Sequence, residues 1–379
     1  AHGAHKYSPN SADLIAWGPV MKITRVRPHL LSLPLPRPVK TSAHDIRTVD
    51  TVFVEMETDA GAVGTGYCFA FGPKRARALY ALVEDLTPVY EGQDAAAPRA
   101  LFDRAWRSIN FLGHAGPAVM ALAALDTACW DLAAQGAALP LYKFLGGGRD
   151  RIPTYASSGL WLDYSVDELV AEAQRFLAQG HRAMKMRLGR SPKEDLERVK
   201  RLRDAIGAEV KLLADVNQGW DEATAIRVGR ELEPFNLYWL EEPLPYEDLE
   251  GCARVAAALT MPIATGETDY GSLGMKRHLE VRAADILMPD LQRMGGVTEF
   301  LKAAALCDAF HTPVSSHLFM EASCHLLAAA PNGLILEHMD WWQALFEESL
   351  RLVEGQIHLP EKPGIGLGLN RKALERFRI

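Results

Sequence analysis

From Gly148 to about residue 350 the chain alternates short apolar segments with amphipathic ones, and this alternation restricts its fold more than any other feature. The apolar segments read IPTYASSGL, RAMKMRLG, VKLLADVN, LYWLEEP, PIATGET, ADILMPD, TPVSSH and LILEH. Each has the length and apolar texture of a buried strand. The stretches between them, such as SVDELVAEAQRFLAQ and PKEDLERVKRLRDAI, place apolar residues at helical spacing. Eight strands joined by helices fit a parallel sheet closed into a (β/α) barrel. A flavodoxin-like open sheet needs fewer strands, and the chain has no phosphate loop. The expected fold class is α/β, with a TIM-type barrel over 149–350. The last helix of that barrel is replaced by a tail containing PEKPGIGLGLN.

Catalytic groups of such a barrel gather where its strands end. In order, the strand ends carry Ser157, Lys185 with Arg187, Asp215 with Asn217, Glu241 with Glu242, Glu267, Asp290, His317 and Glu337. One such residue alone could cap a helix or decorate a rim, but a polar group at every strand end marks a site. Lys185 and Arg187 are two apart, so both point to the same side of their strand. Asp215, Glu241 and Glu267 end three consecutive strands and would repel one another without a cation between them. Oxygen-only donors favour a hard ion, Mg²⁺ or Mn²⁺. Asn217 and Glu242, beside those ligands, are candidates to support them or to touch substrate. His317 and Asp290 end neighbouring strands, so the carboxylate can hold one imidazole nitrogen while the other faces the site.

Upstream of the barrel, MKITRVRPHLLSLPLP and TVDTVFVEMETDAGAVGTGYCFA alternate as strands around a turn at Asp59-Ala60-Gly61, and helical patterns follow to Gly146-Gly147-Gly148. A small α+β domain is expected over 21–148, with the tail 351–379 packing back on it. Gly64-Thr65-Gly66 reads as a strand turn; no third glycine opens a helix after it, so it is no dinucleotide loop. Residues 1–20 lack the basic start and apolar centre of a signal peptide and read as a tag or upstream extension. No apolar run approaches the roughly 20 residues of a membrane span. The net charge of −7 argues against nucleic acid as a partner. Five scattered cysteines without a CxxC pair fit reduced thiols. A cytoplasmic homo-oligomer acting on a small molecule is the expectation.

The Lys185-x-Arg187 strand, ADVNQ at Asp215, WLEEP at Glu241, TGET at Glu267, MPDLQRMGGVTE at Asp290 and PVSSHLFMEASCHLLAA around His317 together resemble the enolase superfamily, in its mandelate racemase subgroup. The resemblance runs from about Met21 to the C-terminus. It implies an N-terminal capping domain over a modified (β/α)₇β barrel, with Mg²⁺ held by Asp215, Glu241 and Glu267. It also implies a His317–Asp290 dyad on one face of the substrate. Glu337 would share a hydrogen bond with a substrate carboxylate oxygen, and Ser157 would lie near that carboxylate. The segment Pro36 to Asp50 would form a lid, bringing Lys40, His44, Asp45 and Arg47 over the site; His44 and Arg47 are its candidate substrate contacts.

One residue departs from the subgroup pattern, which has lysine at both positions of the K-x-K strand, the second acting as a base opposite histidine. Arg187 stands there. A guanidinium has no acceptor and stays protonated at working pH, so it makes a poor base. Proton exchange on two faces is then compromised, whereas dehydration needs one base only. The leading expectation is therefore Mg²⁺-dependent removal of the proton beside a carboxylate, through an enediolate, by an acid-sugar dehydratase that forms a 2-keto-3-deoxy acid. A racemase, epimerase or lactone cycloisomerase is the alternative within the family. A metal- and sugar-acid-binding paralogue without catalysis is the alternative of another class.

Overall fold

The computed structural model describes residues 21–42 and 45–379. The segment 1–20, expected to be a tag or extension, and the candidate contact His44 lie outside the described residues. The N-terminal part is an antiparallel meander of β1 (Ile23–Lys40), β2 (Asp45–Thr58) and β3 (Val63–Ala70), with helices α1 (Pro73–Leu86), α2 (Pro98–Ser108), α3 (Pro117–Gly136) and the short α4 (Leu141–Phe144). From Val49 to Met56 both faces of β2 are buried. Val52, Val54 and Met56 pack with the helices, while Val49 and Phe53 join the core shared with the barrel. That sharing makes the N-terminal domain a cap.

Gly64 and Gly66 sit inside β3 rather than in the turn that their sequence predicts. They are there for close approach: a Cβ at either position would lie 2.2 Å and 2.1 Å from the carbonyl oxygens of Ala128 and Ala124 in α3. The expectation that no apolar stretch nears membrane-spanning length needs correction. By length and composition α3 qualifies, but 83% of its apolar window is buried inside the protein, so it is a core helix. All five cysteines are free and buried.

The barrel consists of parallel strands β4 (Arg151–Ala156), β5 (Ala183–Arg187), β6 (Lys211–Asp215), β7 (Leu237–Glu241), β8 (Ile263–Thr265), β9 (Ile286–Leu287) and β10 (Leu336–His338). Between them run α5 (Val166–Ala178), α6 (Pro192–Ile206), α7 (Glu222–Leu232), α8 (Leu249–Ala258), α9 (Gly271–Val281), α10 (Leu291–Met294), α11 (Val297–Ala309) and α12 (Met320–Ala329). The predicted strand TPVSSH persists only as isolated bridges, Val314 to Leu287 and Gly333, and His317 to Asp290; with β10 paired to β4 they close the ring. Tyr155, Leu213, Trp239 and Met288 fill the barrel interior. Ser165, Ser191, Asp221, Asp248 and Asp290 cap the helices that follow β4, β5, β6, β7 and β9, stopping each strand-to-helix turn at a fixed point. The C-terminal hairpin of β11 (Arg351–Val353) and β12 (Gln356–His358) adds to β4. Helix α13 (Arg371–Phe377) then returns to the cap, where the Ile379 amide donates to the Leu30 carbonyl at 3.1 Å.

Candidate active site

Strand register brings the first group of side chains level: Arg187 pairs with Asp215 and Asp215 with Glu241. At their centre lies the Lys185 ammonium, 2.5 Å from Glu241 Oε1, 3.0 Å from Glu337 Oε1 and 3.5 Å from Asp215 Oδ2. It is buried, and although desolvation opposes its charge, Glu241 and Glu337 hold its pKa well above the ordinary lysine value. Glu241 also accepts from Trp239 Nε1 at 2.8 Å. Desolvation pushes Glu241 up to about 8, with Asp215, Glu267 and Glu337 adding to the shift against Lys185. Glu337 goes the other way, down to about 2, because Lys185, His317, the Ser157 hydroxyl at 2.6 Å and Arg187 together outweigh its desolvation. Its second oxygen accepts from the Leu318 amide at 2.8 Å. Glu337 as placed is therefore an acceptor; donating to a substrate carboxylate requires the incoming negative charge to raise it.

Arg187 donates from Nη2 to Ser157 Oγ at 3.1 Å, and its Nε lies 3.4 Å from Asp215 Oδ2. Its guanidinium stacks over Trp161 with 4.8 Å to the ring centroid. Neither Nε nor Nη1 has a hydrogen-bond acceptor, although both are buried. Arg198 organises this corner from behind, donating to the carbonyls of Trp161, Leu162, Tyr164 and Arg187. Trp161 and Arg198 carried no sequence signal, since their roles depend on which loop folds over which strand.

Across the cavity, His317 Nδ1 lies 2.6 Å from Asp290 Oδ2, and its Nε2 faces Glu267 Oε1 at 3.4 Å. Desolvation would lower the imidazole pKa, but Glu267 and the Asp290 hydrogen bond raise it to about 9. The two readings of Asp290, helix cap and histidine partner, are both realised: Oδ1 accepts from the Arg293 amide at 2.8 Å while Oδ2 binds His317. Arg293 was not anticipated. It stands three residues after Asp290, reaches the Glu267 carbonyl at 2.9 Å and lies 3.6 Å from Asp290 Oδ2.

Asn217 folds back on Asp215, its amide at 2.8 Å from Oδ1 and its Nδ2 at 3.1 Å from Oδ2, which fixes the carboxylate. Glu242 does not line the cavity. Gln218 and Thr268 bind it, and burial, with Glu267 and Asp215 adding, raises its pKa well above the usual carboxylate value. The backbone at Asn217, Gln218 and Glu242 has φ of 47°, 64° and 41°, sparsely populated values for such residues that end the strands sharply.

The lid differs from its expected chemistry. Arg47 is exposed, Lys40 pairs with Asp45 at the surface, and none of the three lines the cavity. Val39, Thr41 and Ile46 line it instead, with Phe69 and Phe71 of β3. Alternation is the reason: with Ile46 inward, its neighbours Asp45 and Arg47 must face out. Trp161, Leu318, Met339 and Trp341 complete the apolar lining.

Among the described residues no three acidic, imidazole or thiol groups already converge on one point; the Lys185 ammonium is the centre of the acidic cluster. The donor set nevertheless fits a hard divalent cation. Asp215, Glu241 and Glu267 offer oxygen only, the donor type a hard divalent cation takes.

The sequence matches the family model for the mandelate racemase / muconate lactonizing enzyme N-terminal domain over 25–146 and the enolase C-terminal domain-like model over 168–373. It is 34% identical to L-talarate/galactarate dehydratase of Salmonella typhimurium over 93% of this chain and 90% of the relative. It is also 34% identical to 3,6-anhydro-alpha-L-galactonate cycloisomerase of Streptomyces coelicolor, over 94% of this chain and 99% of the relative. L-talarate dehydratase from Polaromonas, solved in complex with Mg and L-glucarate, superposes with a TM-score of 0.88 at 34% identity, covering 95% of this chain and 98% of that one. A cap-and-barrel architecture with these matches across its length places the chain in the enolase superfamily, among its mandelate racemase-like members.

Proposed function

We propose that the protein dehydrates an acid sugar to a 2-keto-3-deoxy acid with Mg²⁺ as cofactor. The observation carrying this reading is the asymmetry of the cavity: an imidazole oriented by a carboxylate on one flank, and on the other an arginine and a fully engaged lysine. The relatives' named activities, dehydration and cycloisomerisation, both act on sugar acids, and the dehydratase fits a site with one proton carrier.

Asp215, Glu241 and Glu267 are the residues that would hold the cation. When bound, it supplies positive charge to the substrate carboxylate and cancels the Glu267 charge that keeps His317 protonated. His317 Nε2 takes the proton from the carbon beside the carboxylate, and Asp290 fixes the tautomer and steadies the imidazolium. Lys185 and Arg187 stabilise the charge that moves onto the carboxylate oxygens. The imidazolium then returns that proton to the hydroxyl leaving the next carbon, so one water departs and the enol tautomerises to the ketone. Ser157 and Glu337 bracket the carboxylate. Placing the leaving hydroxyl on the His317 side means elimination on a single face.

The test is a panel of mono- and dicarboxylic sugar acids in the presence of Mg²⁺, scored for 2-keto acid. Formation of that product from at least one configuration is expected. Interconversion of stereoisomers with no loss of water from any acid would replace this reading with racemisation.

A further inference from the structure

Every charged side chain lining the cavity belongs to the barrel; among the described residues the cap contributes none. The cap and the two loops beside it contribute one hydroxyl, Thr41, and the apolar Val39, Ile46, Phe69, Phe71, Trp161 and Trp341. Val39, Ile46, Phe69 and Trp161 are buried. Phe69, Phe71 and Trp341 pack edge to face, with centroid separations of 5.4, 6.5 and 6.1 Å for the three pairs, which makes a fixed wall rather than a loose rim. The Arg293 guanidinium does not serve this wall, because it is engaged at the Glu267 carbonyl and beside Asp290 on the floor.

A substrate whose carboxylate lies among Lys185, Arg187 and Glu337 must direct its remaining carbons upward, toward the cap. We propose that this wall receives the far end of the substrate and selects a monocarboxylate ending in an uncharged, apolar carbon: an ω-deoxy hydroxy acid. The proposal rests on the dehydratase reading for the reaction but not for the binding preference. A second carboxylate against four aromatic rings would lose its hydration and, among the described residues of the cap, meet no cation, which an apolar pocket punishes strongly. A terminal hydroxyl would be disfavoured less, since apolar pockets discriminate poorly against one added hydroxyl.

Binding separates this inference from the chemistry. With Mg²⁺ present, 2-hydroxyhexanoate and 2-hydroxyadipate have the same chain length and cannot eliminate water from the neighbouring carbon. Quenching of tryptophan fluorescence, with Trp161 and Trp341 in the wall, reports their affinities. Wild-type protein should bind the hexanoate at least about tenfold more tightly. Phe71→Arg, at a half-buried position of the wall, should narrow or reverse that ratio, while Phe71→Leu should keep it. Equal or tighter binding of the adipate to the wild type would overturn the proposal, and so would an unchanged ratio in Phe71→Arg. Among chain-matched acids of the configuration that turns over, kcat/KM should fall from ω-deoxy acid to aldonate to aldarate, the last by roughly a hundredfold. Hexanoate preference without turnover of any acid would leave this wall assigned and the dehydratase reading refuted.

Discussion

The two flanks of the cavity are built from similar materials and differ in what they can do with a proton. On one, Lys185 and Arg187 end β5; on the other, His317 and Asp290 stand beside β9. Both flanks pair cationic nitrogen with carboxylate at hydrogen-bond or ion-pair distance. The lysine, however, is locked by two carboxylates that raise its pKa, and the guanidinium offers no lone pair. The imidazole keeps Nε2 turned toward the cavity, with its other nitrogen held. Cationic nitrogen beside carboxylate can thus serve fixed stabilisation or proton traffic, according to which nitrogen bears the charge.

Removing the proton carrier should have the largest effect. His317→Asn should lower kcat by about 10³-fold or more while Mg²⁺ binding, followed by calorimetry, stays within a fewfold. Near-normal turnover would make the two flanks equivalent. Chelation before assay should abolish activity, and added Mg²⁺ or Mn²⁺ should restore it.

Asp290→Asn should cost about 10²-fold in kcat. Because Asp290 helps hold His317 at its raised pKa, losing it should also shift the ascending limb of the pH–rate profile to lower pH. An unmoved limb would mean that the carboxylate only caps α10.

Arg187 sharpens the contrast through isotope exchange. In heavy water the wild type should exchange the proton of only the stereoisomer presented to His317. Deuterium entering both stereoisomers at similar rates would show a working base on the β5 flank. Arg187→Met should raise KM and lower kcat by about tenfold, less than the histidine change, since it removes charge and stacking but no proton carrier.

A buried acid belonging to neither flank gives the smallest effect and a control. Glu321 accepts from the Tyr67 hydroxyl at 2.5 Å, and desolvation lifts its pKa to about 7. The folded state therefore binds this proton more tightly than the unfolded chain. That contribution to stability is complete below about pH 4.5 and is lost as the pH rises through 7. Glu321→Gln should flatten the dependence of melting temperature on pH across this window, a difference on the order of 3 kcal/mol, without altering the activity profile.

The strand-end ring was legible because period and position depend on local sequence. A buried parallel strand is a short apolar run, and the first polar residue after it marks its end, whatever the rest of the chain does. That placed Ser157, Lys185, Asp215, Glu241, Glu267, Asp290, His317 and Glu337 at one mouth, and Arg187 announced its own departure by residue type alone. What the tertiary structure decided is everything that depends on register or on contacts between distant segments. The inward turn of Ile46, and so the outward turn of Arg47, follows from how β2 pairs with β1 and β3 and docks on the barrel. Trp161 lies under Arg187 because Arg198 ties four carbonyls together from a different helix. Glu242, one residue from Glu241, is held by Gln218 and does not line the cavity, where the backbone turns into the left-handed region. Sequence specifies which groups a strand end can offer, since chain neighbours are fixed by covalent geometry; which of them share a cavity is set by packing among segments hundreds of residues apart.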